Sequence, residues 1–282
     1  MKHSFVQTNG VRLHYVEQGE GPAVVLLHGF PDFWYSWRKQ LPALAAAGYR
    51  AIAPDLRGYN QSDRPKGVNQ YRIDPLAGDV AGLIDELVGG PAAVVGHDWG
   101  GVVAWYLAMH RSEAVRKLVI LNAPHPAAYF RELGRPSTQI LRSWYVGFFQ
   151  LPKLPEALLS ARDYALLRRG VRTGPAEDEA DVERYVAALS PPGALTAAIN
   201  YYRAAARHPR PDSRPVPVPT LVLWGDRDPF LVRALADDLG QWVPELEVVH
   251  LADAGHWLHH SHAAEVNRRL LDFVGDSPVA PP

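Results

Sequence analysis

Short runs of apolar residues recur along the chain, separated by stretches with the spacing of amphipathic helices. A continuous apolar run of about four to eight residues is typical of a strand buried on both faces, as in a parallel sheet. The alternating stretch at 11–17 instead predicts an exposed early strand. Buried strands are predicted at 23–27, 49–53, 92–95, 117–121, 220–224 and 246–251, and helices at 74–87, 101–110 and 263–274.

This alternation of strand and helix is interrupted once. Residues 126 to about 207 show helical periodicity, many aromatic residues and no strand-like run, and the proline-rich stretch 208–219 predicts a stiff connector. The pattern therefore predicts an α/β fold, with a mostly parallel central sheet flanked by helices and an inserted helical domain. We expect a core at 1–125 and 218–275, a helical cap at 126–217 and a flexible tail at 276–282.

Composition narrows the function without identifying it. The 282 residues are 47% hydrophobic and 21% charged, with a formal net charge of −1 and no run of like charges. This balance disfavours nucleic acid or an anionic membrane as a partner. The absence of cysteine excludes disulfides, thiolate metal sites and a cysteine nucleophile. The N-terminus shows no apolar signal core and no stretch is apolar enough to span a membrane, so a cytoplasmic enzyme is expected.

The most informative motif follows the predicted strand at 92–95. Gly96-His97-Asp98-Trp99-Gly100 has the shape of a nucleophile elbow, in which a strained strand-to-helix turn exposes one reactive side chain. The pattern usually carries serine where this chain carries Asp98. A carboxylate is ionised near neutral pH and needs no base before it attacks. It suits displacement at an sp³ carbon, which gives an alkyl ester of the enzyme.

Partners for Asp98 should follow in the order acid, then histidine. Asp226 and Asp228 both follow the predicted strand at 220–224, and His256 follows the last strand. Loops at the carboxyl ends of parallel strands are where such sheets collect their reactive groups. We favour Asp228 as the acid, with Asp226 as the fallback, and assign His256 to activate water for hydrolysis of the ester.

A histidine-rich stretch near the C-terminus also admits a metal site. His256, His259, His260 and His262 cluster there, and two histidines four residues apart on a helix can bind zinc. No glutamate is placed as in His-Glu-x-x-His, and the elbow gives His256 a better use. We therefore expect no metal and no cofactor.

Taken together, the motifs closely resemble those of the soluble epoxide hydrolases of the α/β-hydrolase fold, over nearly the whole chain. The matching segments are His28-Gly-Phe30-Pro31, Trp34-Tyr-Ser-Trp-Arg38, Asp55-Leu-Arg-Gly58-Tyr59, Gly96-His-Asp98-Trp99-Gly-Gly101, Trp224-Gly-Asp-Arg-Asp228 and Gly255-His256-Trp257.

The resemblance implies a role for individual residues. It makes Asp228 the acid and the backbone N–H groups of Phe30 and Trp99 the oxyanion hole. It also implies two cap tyrosines that donate hydrogen bonds to the epoxide oxygen, Tyr145 and Tyr202. Tyr201 is adjacent to Tyr202, and only one of the two can face the cleft. Aromatic residues expected around the substrate are Phe33, Trp34, Phe149 and Trp257.

The activity implied is conversion of a small-molecule epoxide and water to a vicinal diol through a covalent aspartyl ester, by a monomer or homodimer. A dehalogenase uses the same nucleophile and is the nearest alternative. Haloalkane dehalogenases typically have asparagine at the position of Phe30, and fluoroacetate-type enzymes have arginine at the position of Trp99, so both residues favour epoxide opening. A ligand-binding protein without catalysis is the third possibility, which multiple turnover of an epoxide would exclude.

Overall fold

The computed structural model describes residues 1–135, 138–209 and 212–275. Within these ranges an eight-stranded sheet forms the centre, in the order β1-β2-β4-β3-β5-β6-β7-β8. Strands β1, β2 and β4 pair antiparallel, and all other neighbours in the sheet pair parallel. The strands are β1 Lys2–Thr8, β2 Val11–Gln18, β3 Ala23–Leu27, β4 Arg50–Pro54, β5 Ala92–His97, β6 Val115–Leu121, β7 Thr220–Gly225 and β8 Leu246–Leu251.

Helices cover both faces of this sheet, and a group of inserted helices lies between β6 and β7. The helices of the two flanking layers are α1 Gln40–Ala46, α2 Ile73–Leu87, α3 Trp99–His110, α10 Leu258–Ser261 and α11 Ala263–Val274. The inserted helices are α4 Pro126–Leu133, α5 Gln139–Arg142, α6 Trp144–Phe148, α7 Leu154–Arg172, α8 Glu179–Leu189 and α9 Ala194–Arg207. Helix α7 is kinked at residues 161–164, where the backbone leaves the helical region. Short 3-10 turns lie at Trp34–Trp37, Val68–Tyr71, Ser112–Ala114, Arg233–Ala236 and Leu239–Gln241.

The hydrophobic pattern of the central strands explains why the sheet is covered on both sides. In β3, Val25 and Leu27 belong to one buried cluster, shared with α2, α3 and the inserted helices, whereas Val24 and Leu26 belong to another, shared with α1 and α11. Successive side chains of a strand point to opposite faces, so a strand that is apolar at every position must be buried on both. The predicted α/β-hydrolase fold is confirmed.

Two parts of the sequence interpretation need correction. Strand β1 was not predicted, because only Val6 and Thr8 of its seven residues are buried. The strand expected to be exposed at 11–17 is largely buried as β2, since it lies between β1 and β4. The predicted tail at 276–282 lies outside the described residues. Among the residues that are described, no helix is both long and apolar enough to cross a membrane.

Candidate active site

Asp98 lies on a tight turn between β5 and α3. Its backbone has φ 49° and ψ −121°, a region that non-glycine residues seldom occupy, so the surrounding structure must hold it there. The turn requires close backbone approach, because a Cβ at Gly100 would lie 2.1 Å from the carbonyl oxygen of Leu27. Gly29 is constrained in the same way, since a Cβ there would lie 2.2 Å from Oδ1 of Asp98.

The two carboxylate oxygens of Asp98 have different surroundings. Oδ1 accepts a hydrogen bond of 2.8 Å from the backbone N–H of Phe30, in the loop after β3. Oδ2 lies 3.7 Å from Nε2 of His256. Trp99 is the first residue of α3, so its N–H belongs to the amides at the helix N-terminus, which favour negative charge. Oδ1 is thus held by the amide of Phe30, and Oδ2 faces His256.

His256 lies between two carboxylates. Its Nδ1 is 2.6 Å from Oδ2 of Asp228, and its Nε2 points toward Asp98. Burial lowers the pKa of His256, but the charges of Asp228 and Asp98 outweigh burial and raise this pKa to about 9. His256 is therefore a cation at neutral pH while Asp98 is charged.

Asp228 is almost completely buried, and each of its carboxylate oxygens accepts two hydrogen bonds. Oδ1 accepts from the backbone N–H groups of Phe230 and Leu231, at 2.7 and 3.0 Å. Oδ2 accepts from His256 and, at 2.6 Å, from the side-chain amide of Asn122. Burial alone would raise the pKa of Asp228, but His256 and these donors lower it. A carboxylate held in this way stays ionised and fixes the orientation of the histidine.

Asn122 is a site residue that the sequence analysis missed. It directly follows β6, and its Oδ1 accepts a 2.7 Å bond from the backbone N–H of Gly225 while its amide donates to Asp228. Its position in the sequence could have identified it. Because β6 and β7 are parallel neighbours, a polar residue directly after β6 lies beside the loop after β7, which carries Asp228.

The fallback acid, Asp226, lies elsewhere. Its Oδ1 is 2.7 Å from Nδ1 of His250 and 3.5 Å from Nε of Arg233, on the partly exposed side of the loop. Asp226 therefore belongs to a separate ion-pair group, and Asp228 is the residue in contact with His256.

Tyr145 and Tyr202 approach Asp98 from the inserted helices α6 and α9. Their ring centroids are 5.8 Å apart, with the ring planes at 80°. Burial, reinforced by the charge of Asp98, raises the pKa of each well above its usual value. Both remain neutral hydrogen-bond donors at any pH in the ordinary working range. Tyr201 also lines this side of the site, but its hydroxyl is directed elsewhere, since it donates a 2.7 Å bond to the carbonyl oxygen of Arg57.

A cavity of about 310 Å³ opens onto Asp98 and the two tyrosines. A volume of this size suits a small organic ligand. Most of its surface is apolar, so it favours a substrate that is hydrophobic away from the reacting carbon. Besides Asp98, Tyr145 and Tyr202, its lining includes Ile73, Leu76, Trp99, Val102, Tyr106, Pro124, Tyr129, Phe130, Leu133 and Val146.

The aromatic residues expected around the substrate are not among those that line this cavity. Trp34 packs against His3 of β1, with ring centroids 5.1 Å apart. Phe33 is buried against Tyr185 of α8. Phe149 and Trp257 are closer to the site: Phe149 packs on Tyr202, with centroids 4.9 Å apart, and Trp257 packs on His256, with centroids 5.0 Å apart. Phe149 and Trp257 therefore pack behind site residues, whereas Phe33 and Trp34 pack elsewhere. Sequence composition alone does not tell which way an aromatic ring faces.

The histidines considered as metal ligands have different partners and do not all converge on one point. His262 lies 3.3 Å from Asp253, while His259 and His260 both contact the hydroxyl of Ser36. Among the described residues, a group with ligand atoms close enough to hold a small species is instead Asp32, His97 and His259, all buried. The sequence analysis did not single out this group.

Comparisons with known proteins agree with this geometry. The alpha/beta hydrolase fold family matches residues 22–263. An AB hydrolase superfamily protein of Bacillus subtilis (strain 168), YfhM, is 44% identical over 97% of this chain and 98% of its own length. Epoxide hydrolase 3 of Xenopus tropicalis is 37% identical over 97% of this chain and 78% of its own length.

Solved structures give the same result. The epoxide hydrolase of Bacillus megaterium, crystallised with an inhibitor, has a TM-score of 0.89 at 30% identity, covering 96% of this chain and 99% of that one. The epoxide hydrolase VrEH1 from Vigna radiata has a TM-score of 0.83 at 33% identity, covering 97% of each chain. The chain therefore belongs to the epoxide hydrolase family of the α/β-hydrolase fold, a family of hydrolases that act on ether bonds.

Proposed function

We propose that the protein hydrolyses a small-molecule epoxide to a vicinal diol through a covalent ester on Asp98, with residues 126–217 acting as a cap over the site. The observation that carries the proposal is the line of contacts from Asp228 through His256 to Oδ2 of Asp98, at 2.6 and 3.7 Å. The cavity that joins Asp98 to Tyr145 and Tyr202 supplies a place for the oxirane beside all the groups required.

The first step opens the ring. Oδ2 of Asp98 attacks one ring carbon from the side opposite the oxygen, and the carbon–oxygen bond electrons move onto the oxygen. Tyr145 and Tyr202 donate hydrogen bonds to that oxygen as its negative charge develops, and a proton delivered through them gives the hydroxyl group. The product is a hydroxyalkyl ester whose carbonyl oxygen, Oδ1, already faces the N–H of Phe30.

The second step hydrolyses this ester. His256 removes a proton from water, and the resulting hydroxide attacks the carbonyl carbon of Asp98. The backbone N–H groups of Phe30 and Trp99 stabilise the oxyanion of the tetrahedral intermediate. Cleavage of the bond between that carbon and the alkyl oxygen releases the diol, whose new hydroxyl takes the proton remaining on the water-derived oxygen, and that oxygen stays on Asp98 as part of the regenerated carboxylate.

Formation of the ester prepares His256 for its role as a base. The charge of Asp98 is one of the causes that raise the pKa of His256 to about 9 in the free protein. Alkylation removes that charge, so the pKa of His256 falls and the imidazole loses its proton more readily. Asp228 keeps its charge in both states and continues to orient the ring.

Isotope transfer tests the proposal. The protein is allowed many turnovers of styrene oxide in H₂¹⁸O, and the peptide that contains Asp98 is then analysed by mass spectrometry. We expect diol production together with ¹⁸O in the Asp98 side chain, and unlabelled Asp226 provides the internal control. Diol production with no label in Asp98 would mean direct attack of water, and halide release from a chloroalkane panel without diol from any epoxide would favour dehalogenation.

A further inference from the structure

Behind the catalytic histidine lies a cluster of three buried polar side chains for which the proposed reaction has no use. Asp32, His97 and His259, here called the buried polar cluster, are each 0% exposed. They bring one oxygen or nitrogen atom each to within 4.8 Å of one another. Within the part of the chain that the structure describes, Oδ1 of Asp32 and the Nδ1 atoms of both histidines have no hydrogen-bonding partner. Leaving three such atoms unpaired would be costly, so their arrangement calls for a ligand.

The position of the proton on His259 follows from its neighbours. Arg38 can only donate, and its Nη1 lies 3.0 Å from Nδ1 of His260, so neutral His260 carries its proton on Nε2 and donates it to Ser36 at 3.1 Å. The Ser36 hydroxyl then donates to Nε2 of His259, at 2.8 Å. This arrangement assigns the proton of His259 to Nδ1, a buried atom with no other hydrogen-bonding partner among the described residues.

Both histidines of this chain of hydrogen bonds are neutral. Burial, reinforced by the positive charge of Arg38, lowers the pKa of His260 to about 3 despite the nearby carboxylate of Asp32. Burial and the surrounding histidines lower the pKa of His259 well below its usual value. Each ring therefore offers one donor and one acceptor, as the assignment requires.

The other two members of the cluster present acceptors. Nε2 of His97 lies 3.0 Å from the backbone carbonyl oxygen of His256, which can only accept, so His97 carries a proton on Nε2, and in the tautomer with a single ring proton its Nδ1 is an acceptor. Oδ2 of Asp32 accepts from the indole N–H of Trp257 at 3.2 Å. The buried hydroxyl of Tyr185 also faces the Asp32 carboxylate, which contributes to raising the pKa of Tyr185 after burial. Oδ2 of Asp32 and Nδ1 of His97 are 3.6 Å apart, too far for a direct hydrogen bond.

We propose that the buried polar cluster binds one internal water molecule, which accepts from Nδ1–H of His259 and donates to Nδ1 of His97 and to the carboxylate of Asp32. Water supplies this combination of one acceptor and two donors, and buried waters typically make about three hydrogen bonds. Hydrogen bonds of about 2.8 Å place the partners of a water up to about 4.6 Å apart, which is compatible with ligand atoms of the three residues lying within 4.8 Å of one another. A zinc ion would draw its ligands to about 3.4 Å and would need a lone pair on Nδ1 of His259.

The bound water has a consequence for the catalytic histidine. It fixes His97, whose Nε2–H holds the carbonyl oxygen of His256, and it fixes Asp32, which holds the side chain of Trp257. One water thus helps to hold both the backbone carbonyl of His256, through His97, and the side chain of the next residue, Trp257, through Asp32. His259 is a positioning residue for His256 in this arrangement, and this role rests on the proposed function, whereas the water site itself does not.

Crystallography of the full-length protein tests the site directly. We expect one electron-density peak about 2.6 to 3.2 Å from the three atoms, with no anomalous signal at the zinc edge after crystals are soaked in zinc chloride. An anomalous peak at about 2.1 Å from the ligands would overturn the proposal in favour of a metal site. A site without a peak, including one in which His97 bonds directly to Asp32, would also overturn it.

Histidine tautomers measured by NMR provide an independent test in solution. Long-range proton–nitrogen correlation spectra of the ¹⁵N-histidine-labelled protein should show His259 protonated on Nδ1 and His97 protonated on Nε2. A proton on Nε2 of His259 would contradict the hydrogen-bond chain through Ser36 and with it the water site. Neither this measurement nor the crystal structure depends on turnover, so failure of the proposed function and failure of the site are distinguishable.

The positioning role is tested by His259→Phe, with His262→Phe as the matched control on the neighbouring turn. Ester hydrolysis in single turnover should slow about tenfold in His259→Phe, more than alkylation does, because a small displacement of His256 impairs the base. The control should keep both rates. Equal slowing of the two steps in a folded variant would indicate a general structural role and overturn the assignment of His259, while the crystal and NMR tests still decide the water site.

Discussion

The two walls of the site are built on different principles. On the core wall, His256 and Asp228 are ionised, and these two residues and Asp98 are held by backbone amides, by Asn122 and by one another. On the inserted wall, Tyr145 and Tyr202 are neutral. Their rings are held by edge-to-face packing on Phe149, at 6.0 and 4.9 Å, rather than by a network of charged hydrogen bonds.

The difference follows from the cost of burying charge. A carboxylate taken out of water must be compensated by hydrogen bonds and opposite charge, and removal of any partner leaves the others unsatisfied. A phenol needs only apolar surroundings and one polar contact. We therefore expect substitutions on the core wall to abolish nearly all activity, and substitutions on the inserted wall to lower the activity gradually, by a partial loss for each side chain.

The largest effect is expected at the nucleophile. Asp98→Asn should lower turnover of epoxide at least about ten-thousandfold, because a neutral amide cannot attack the ring carbon. Asparagine is the substitution of choice, since it tolerates the left-handed backbone at φ 49° that alanine would strain. Turnover is measured as diol formed under saturating epoxide, with the melting temperature as the test of folding.

Two controls make this result interpretable. Asp226→Asn removes a nearby carboxylate that pairs with His250 instead of His256, and it should keep near-normal turnover. Intact mass measurement excludes slow deamidation of the introduced asparagine back to aspartate. A folded Asp98→Asn protein, free of deamidated product, that still formed diol at about one tenth of the normal rate would rule out nucleophilic attack by residue 98.

The second largest effect is expected at the base, and it separates the two chemical steps. His256→Gln should still form the ester but hydrolyse it about a thousandfold more slowly. The variant should therefore accumulate an adduct whose mass exceeds that of the free protein by the mass of the epoxide. Asp228→Asn should show a weaker form of the same behaviour. A His256→Gln protein that never alkylates would place the histidine in the first step instead.

The core wall was largely predictable from sequence, because its residues follow strands. Runs of apolar residues located β5, β7 and β8. Asp98 follows β5, Asp228 lies in the loop after β7, and His256 lies in the loop after β8. The choice between Asp226 and Asp228 needed the structure or the resemblance, since two residues in one loop point to different sides. Asn122 was missed because an asparagine after a strand has no chemical signature of its own.

The inserted wall was predictable only in outline. Helical periodicity indicated helices in 126–207 but not how they fold back over Asp98. The orientation of a ring depends on packing between distant elements, which is why Phe33 and Trp34 were expected around the substrate and lie outside the cavity lining. The choice between Tyr201 and Tyr202 likewise depends on the direction in which each adjacent residue of α9 points. In the structure the hydroxyl of Tyr201 is directed to Arg57.

The tyrosines of the inserted wall should show graded effects. Tyr145→Phe and Tyr202→Phe should each slow alkylation about ten- to a hundredfold, because each removes one of two donors to the oxygen, and the double variant should lose more than either. Tyr201→Phe is the matched control, since it removes a hydroxyl from the adjacent position. It should leave alkylation within about threefold and instead cost about 1 kcal/mol of unfolding free energy through its lost bond to Arg57.

Rapid-quench mass spectrometry measures these alkylation rates, and chemical denaturation measures the stability of the control. An equal loss of alkylation in Tyr201→Phe and Tyr202→Phe would show that the hydroxyl of Tyr202 has no special contact with the epoxide. Loss of all activity in a folded single variant would contradict the graded behaviour expected of this wall.

The smallest effect is expected from a change of a single pH unit, and pH distinguishes the walls without any substitution. The base requires neutral His256, whose pKa of about 9 in the free protein falls once the ester removes the charge of Asp98. Ester hydrolysis should therefore rise by at most about tenfold per pH unit from about pH 6 and level off below about pH 9. Alkylation should stay nearly flat over this range, because Tyr145 and Tyr202, whose pKa values are raised, remain protonated. Single-turnover rates of both steps, measured at each pH, test this division. A pH-independent hydrolysis rate together with a pH-dependent alkylation rate would contradict it, because the rate-controlling ionisation would then be that of the tyrosines on the inserted wall.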